Sequence, residues 1–128
     1  HRSAMILVDT SVWIDHFRNG VSRLADLLES NRVLMHPLVV GEIACGNLRA
    51  RRDTLQLLSN LPGPPVASNG EVMTFIESNR LMGKCIGFVD AHLLAAVALA
   101  ANATVWTHDK RLRQAAKRLG LAHTAARK

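Results

Sequence analysis

Residues 5–15 read MILVDTSVWID. The run Met5 to Val8 is too short for an ordinary helix and, with Ile6 and Val8 in it, suits a strand buried on both faces. It ends on a carboxylate, Asp9, and the period then changes. Val12, Trp13, Ile14 and Phe17 fit a turn of helix for which Thr10 or Ser11 is the expected cap. A buried strand that passes directly into a helix is the opening of a parallel α/β unit.

The rest of the chain repeats that alternation. Asn19-Gly20 breaks the first helix, and Val21, Leu24, Ala25 and Leu28 keep the spacing of an amphipathic one. Val33 to Met35 is a short second strand, and Pro37 suits the first position of a third helix, where its missing N–H costs nothing. Arg49 to Leu61 predicts another helix, stopped by Pro62-Gly63-Pro64-Pro65. A helix from about Glu71 to Met82 follows. From Phe88 to Ala101 nearly every side chain is apolar or Ala, which predicts a helix buried almost all round. Thr104 to Thr107 is a further strand, and Leu112, Ala115, Ala116 and Leu119 mark the inner stripe of a last helix. Strands alternating with helices predict a three-layer α/β/α domain around a central parallel sheet of about four to five strands.

With 128 residues, 48% of them hydrophobic, the chain fits one packed core. One domain over 5–128 is expected, with HRSA at positions 1–4 a cloning remnant outside it. The longest strongly apolar run, residues 93–101, falls far short of the roughly 20 needed to cross a bilayer. No basic, apolar, small-residue leader opens the chain, so a soluble cytoplasmic protein without membrane contact is expected. Cys45 and Cys85 lack C-x-x-C spacing and are expected as small buried residues. A formal net charge of +6 attracts polyanions, nucleic acid foremost.

The acids are placed more tellingly than their number suggests. Asp9 and Asp109 each follow a strand, and ligand crevices of parallel sheets lie at the strands' carboxyl ends. Either position also suits a helix cap. Glu42 lies inside the third helix beside Leu38, Val39, Cys45 and Gly46, where a carboxylate needs a partner from elsewhere, a solvated gap or a proton. Asp90 is the lone acid of the apolar segment from Gly87 to Asn102, in the first helical turn. Four converging carboxylates repel unless a cation neutralises them, and such a set is the hard-oxygen environment of Mg²⁺ or Mn²⁺. The histidines form no H-x-H or H-E-x-x-H, so zinc is unsupported. Of ten acids these four leave six against sixteen basic residues, an acidic site on a basic body.

Taken together, DTSVWID at Asp9, Gly41-Glu42, GFVDAHLLAAVA at Gly87 to Ala98 and VWTHDKRL at Val105 to Leu112 resemble a PIN-domain ribonuclease, closest to the VapC-type toxins of toxin–antitoxin modules. The resemblance implies an endoribonuclease that hydrolyses RNA phosphodiesters with one or two Mg²⁺ or Mn²⁺ ions and leaves a 5′-phosphate and a 3′-hydroxyl. It assigns Asp9, Glu42, Asp90 and Asp109 as the catalytic, metal-binding acids, with Thr10, Ser11 and Thr107 supporting them. It also implies a VapB-type antitoxin whose C-terminal segment covers the active-site groove, and a homodimer.

Opposite the Leu112 stripe stand Lys110, Arg111, Arg113, Gln114, Lys117 and Arg118, a basic face that begins one residue after Asp109 and suits RNA phosphates. Arg49, Arg51 and Arg52 form a second cluster for RNA or antitoxin. A haloacid-dehalogenase-like phosphatase would need a second Asp where this chain has Ser11. The remaining alternative is a non-catalytic, basic nucleic-acid-binding or regulatory module whose acids only cap helices.

Overall fold

The computed structural model describes residues 4–124. His1 to Ser3, most of the expected remnant, lie outside the described residues, as do the last four positions of the expected domain. Strand β1 (Met5–Val8) leads into α1 (Thr10–Asn19) and α2 (Ser22–Glu29). Strand β2 (Val33–Leu34) is followed by α3 (Pro37–Ala44), α4 (Arg51–Ser59), α5 (Asn69–Ser78) and α6 (Phe88–Leu99). Strand β3 (Ala103–Trp106) and α7 (Lys110–Arg118) close the order.

The sheet runs β2-β1-β3 with every pairing parallel. β1 is the middle strand, with Leu7 level with Leu34 on one side and Val105 on the other. Ile6, Leu7 and Val8 are consecutive and all at most 1% exposed. Side chains of a strand alternate between faces, so both faces of the sheet are covered, as a three-layer α/β domain requires.

The strand count is lower than the four to five expected. Among the described residues three strands form the sheet, and a single bridge from Val105 to Ala122 extends it beyond β3. β2 stops early because the Met35 N–H is taken by the Pro62 carbonyl at 2.8 Å, so the proline loop ends the ladder. At the other edge Val105 exchanges bonds only with Leu121 and His123.

Helix boundaries follow local chemistry. Pro37 occupies the first turn of α3, whose cap is His36, with Nδ1 accepting from the Leu38 N–H at 3.0 Å. Helix α5 starts on a capping box of Ser68 and Glu71, slightly earlier than its apolar periodicity indicated. Residues 91–97 of α6 are all buried, the all-round burial its composition predicts. On α2 the stripe is Leu24 and Leu27, with Ala25 exposed, a one-residue turn of the face expected. Cys45 and Cys85 are exposed, against the expectation of burial. Cys45 caps the end of α3, and Cys85 sits in the loop before α6 at φ +62°. No helix of the described residues is long and apolar enough to cross a membrane.

Candidate active site

The carboxyl ends of β1 and β3 bring Asp9 and Thr107 side by side. Asp9 holds the N-cap position of α1, with its carbonyl accepting from Val12 and Trp13, so the cap is Asp9 itself and not Thr10 or Ser11. Its side chain makes no capping bond, although Asp is among the best capping residues. It is 6% exposed, and Ser11 Oγ (2.8 Å) and Thr107 Oγ1 (2.7 Å) both donate to its Oδ2. Those hydroxyls are themselves oriented by backbone donors: the His108 N–H reaches Ser11 Oγ at 3.0 Å, and the Asp109 N–H reaches Thr107 Oγ1 at 2.9 Å. The turn after β3 therefore holds the acid after β1 through two hydroxyl relays. Asp9 Oδ1 takes no part in that network.

The other three acids differ in how far a structural role explains them. Asp109 is exposed and caps α7, its Oδ1 accepting from the Leu112 N–H at 2.9 Å. Glu42 is also exposed, the solvated outcome its place on α3 allowed, and in addition the Thr10 hydroxyl donates to its Oε1 at 2.6 Å. Thr10 and Ser11, adjacent in sequence, thus serve two different carboxylates. Asp90, partly buried in the first turn of α6, accepts weakly from the Gly87 N–H at 3.3 Å. Burial is the main cause lifting its carboxyl above the ordinary value of 3.8; the Gly87 bond opposes the rise, and the charges of Asp9, Asp109 and Glu42 add to it.

All four acids thus share one electrostatic field. Among the described residues no three His, Cys, Asp or Glu groups already form a closed cluster of metal-ligand spacing. The arrangement is one buried, hydrogen-bonded acid, Asp9, with three more exposed acids, of which Asp90 lies within electrostatic reach of all the others. Its donors are carboxylate oxygens that repel one another, a set that fits a hard divalent cation.

Of the histidines near these acids, His92 joins α6 to α5 through Asn69 at 3.0 Å, and His108 pairs with Asp15 at 3.0 Å. Neither hydrogen-bonds one of the four acids. Arg51 donates to the carbonyls of Ala44 and Gly46 and so closes the end of α3, a structural duty within the second basic cluster. Lys110, Arg111, Arg113, Lys117 and Arg118 are all exposed on α7. They stand on the outward side of the helix, opposite the buried Leu112, Ala115 and Ala116; at one edge Arg111 and Arg118 flank a hollow with Lys84, and at the other Arg113 and Lys117 flank one beside Thr107. Arg118 also donates to the Asn79 carbonyl at 2.7 Å.

A buried carboxylate at the end of the central strand, tied to a Thr-x-Asp turn on the neighbouring strand and joined by acids of α3 and α6 in one electrostatic field, defines an α/β domain with an acidic site at the carboxyl ends of its strands. The family model of the PIN domain matches residues 6–118, and the chain belongs to that family. Similar relatives include two proteins named Ribonuclease VapC32, from two strains of Mycobacterium tuberculosis. Each is 47% identical over 118 residues, covering 92% of this chain and 95% of the relative. The resemblance to VapC-type PIN proteins therefore extends across the whole fold.

Proposed function

We propose that this chain is a Mg²⁺- or Mn²⁺-dependent endoribonuclease and the toxin of a toxin–antitoxin pair. The observation that carries the reading is the placement of Asp9. A carboxylate that begins a helix, yet is withheld from capping it and fixed by two hydroxyls, is held for another purpose. The ribonuclease name of relatives that align over nearly all of the chain supports the substrate class.

Asp9 and Asp90 would ligate the metal directly, with Glu42 and Asp109 ligating directly or through water. One or two ions bound there would lower the pKa of a water and neutralise charge growing on the phosphate. Ser11 and Thr107 fix the orientation of the Asp9 carboxylate, and Thr10 does the same for Glu42. No side chain is required as a covalent nucleophile. Basic residues of α7 hold the RNA backbone beside the acids. A VapB-type antitoxin would cover the same cleft with a basic side chain among the acids, and Leu57, 70% exposed on α4, is available to a protein partner or a second copy.

Isothermal titration of Mn²⁺ and Mg²⁺ into the antitoxin-free protein and its Asp9→Ala variant tests the reading, followed by RNA cleavage in the same metals. Binding and cleavage by the wild type, both lost in the variant, are expected. No heat, no stabilisation and no cleavage at millimolar metal would leave the basic binding module instead.

A further inference from the structure

Between the end of β3 and α7 lies a cavity of about 290 Å³, near the lower end of the size of small-ligand sites. Trp106, Thr107, His108, Arg113, Lys117 and His123 line it. The two imidazoles meet the indole at 88° and 57°, with ring centroids 6.4 and 5.5 Å away, so neither is stacked flat against it. Asp15 fixes the His108 ring at 3.0 Å. His123 Nε2 is buried without a hydrogen-bond partner among the described residues. Burial, then the charges of Arg23 and Arg32, lower the pKa of this imidazole, and the neutral ring keeps one nitrogen as an acceptor and one as a donor.

We propose that this cavity is a nucleotide subsite, taking the unstacked base and the phosphate of a residue that neighbours the scissile phosphodiester. The inference rests on the ribonuclease reading. Three observations favour a nucleotide over a phosphate alone. The walls combine aromatic rings with two cations one helical turn apart, the pairing used to bind single strands by stacking and charge. His123, its ring tilted against the indole, lines the same cavity and gives a base a second aromatic wall. Thr107 lines the cavity and also donates to Asp9, so the subsite and the acids stand on either side of one residue. The hollow on the other flank of α7, lined by Lys84, Arg111, Gln114, Ala115 and Arg118, carries cations without any aromatic ring and suits phosphate only.

The test compares metal-free binding of single-stranded hexaribonucleotides of U, A or C with hexamers carrying an abasic ribose in the middle. Anisotropy of a 5′-label reads affinity. Quenching of Trp106, made the lone emitter by Trp13→Phe, reads stacking; the anisotropy readout stands if that core change unfolds the protein. At least one intact hexamer is expected to bind about tenfold tighter than its abasic partner, within the usual value of one stacked base. His123→Ala removes that difference, Arg113→Ala with Lys117→Ala weakens both probes, and Arg111→Ala with Arg118→Ala leaves the difference intact. Equal binding of intact and abasic hexamers by a preparation that still cleaves RNA overturns the subsite and spares the ribonuclease. Base-dependent binding without cleavage in any divalent metal overturns the ribonuclease, and with it the subsite's link to a scissile bond.

Discussion

Asp9 Oδ2 receives two hydroxyl donors, and both come from residues that the backbone has already oriented. Hydrogen bonds to an ionised group contribute about 1.5–3 kcal/mol each, so Thr107→Val should destabilise the protein by about 2 kcal/mol in urea unfolding. Thr107→Ser should recover most of the loss. A value near zero would mean that the relay does not hold Asp9. At Asp90 the sign is opposite. Its carboxyl titrates above its unfolded value of 3.8, so the ionised form is disfavoured in the metal-free fold, and stability falls as pH rises through the raised pKa. Asp90→Asn should therefore have the higher Tm at pH 7 without metal, a lead that shrinks as pH falls towards 3.8, while metal-dependent cleavage is lost. A variant that cleaves fully would refute the ligand role. The four candidate acids drew notice in the sequence because each stood at a strand's end or on an apolar helix, although in the fold Glu42 and Asp109 are exposed. The donors Ser11 and Thr107 were legible only as polar residues of a motif, since a bond spanning |i−j| = 98 leaves no periodic trace.

At the level of elements, the strands and the buried helix were legible where the apolar run was continuous, as in Met5 to Val8 and Leu93 to Val97. Caps were harder to read. Asp9 and Asp109 look alike in sequence, each an acid opening a helix, yet one side chain caps and the other does not, because only Asp9 finds two hydroxyls, Ser11 two residues on and Thr107 across the sheet. Periodicity placed the basic residues of α7 opposite its buried stripe, but it says nothing of what stands against either flank of that face. Charge reversal at Lys117 and Arg118 should weaken RNA binding and lower the salt slope by roughly 0.7 for each phosphate that is no longer neutralised. Unchanged affinity and slope would remove α7 from the RNA interface. Ser68→Ala, which opens the capping box of α5, should cost about 1 kcal/mol without touching cleavage, by urea unfolding and activity in parallel.

Across the whole molecule, a ligand that binds only the folded state stabilises it, by about 2.7 kcal/mol at a hundredfold excess over Kd. Mn²⁺ should accordingly raise the Tm of the wild type by several degrees and that of Asp9→Ala not at all. Two histidines set an opposing acid limit. Burial and then the charge of His92 lower His36, and burial with Arg23 and Arg32 lowers His123, so both stay neutral in the fold below their ordinary 6.5. The unfolded chain binds those protons first, and stability should decline as pH falls through 6.5 towards the lowered values, visible in a series of melts. The short sheet has a consequence of its own. With β2 only two residues long and a lone bridge beyond β3, neither margin offers, among the described residues, a row of free amides long enough to template another polypeptide. Runaway strand-on-strand aggregation is thereby denied a foothold on this sheet, and association through the described residues falls to helices and loops.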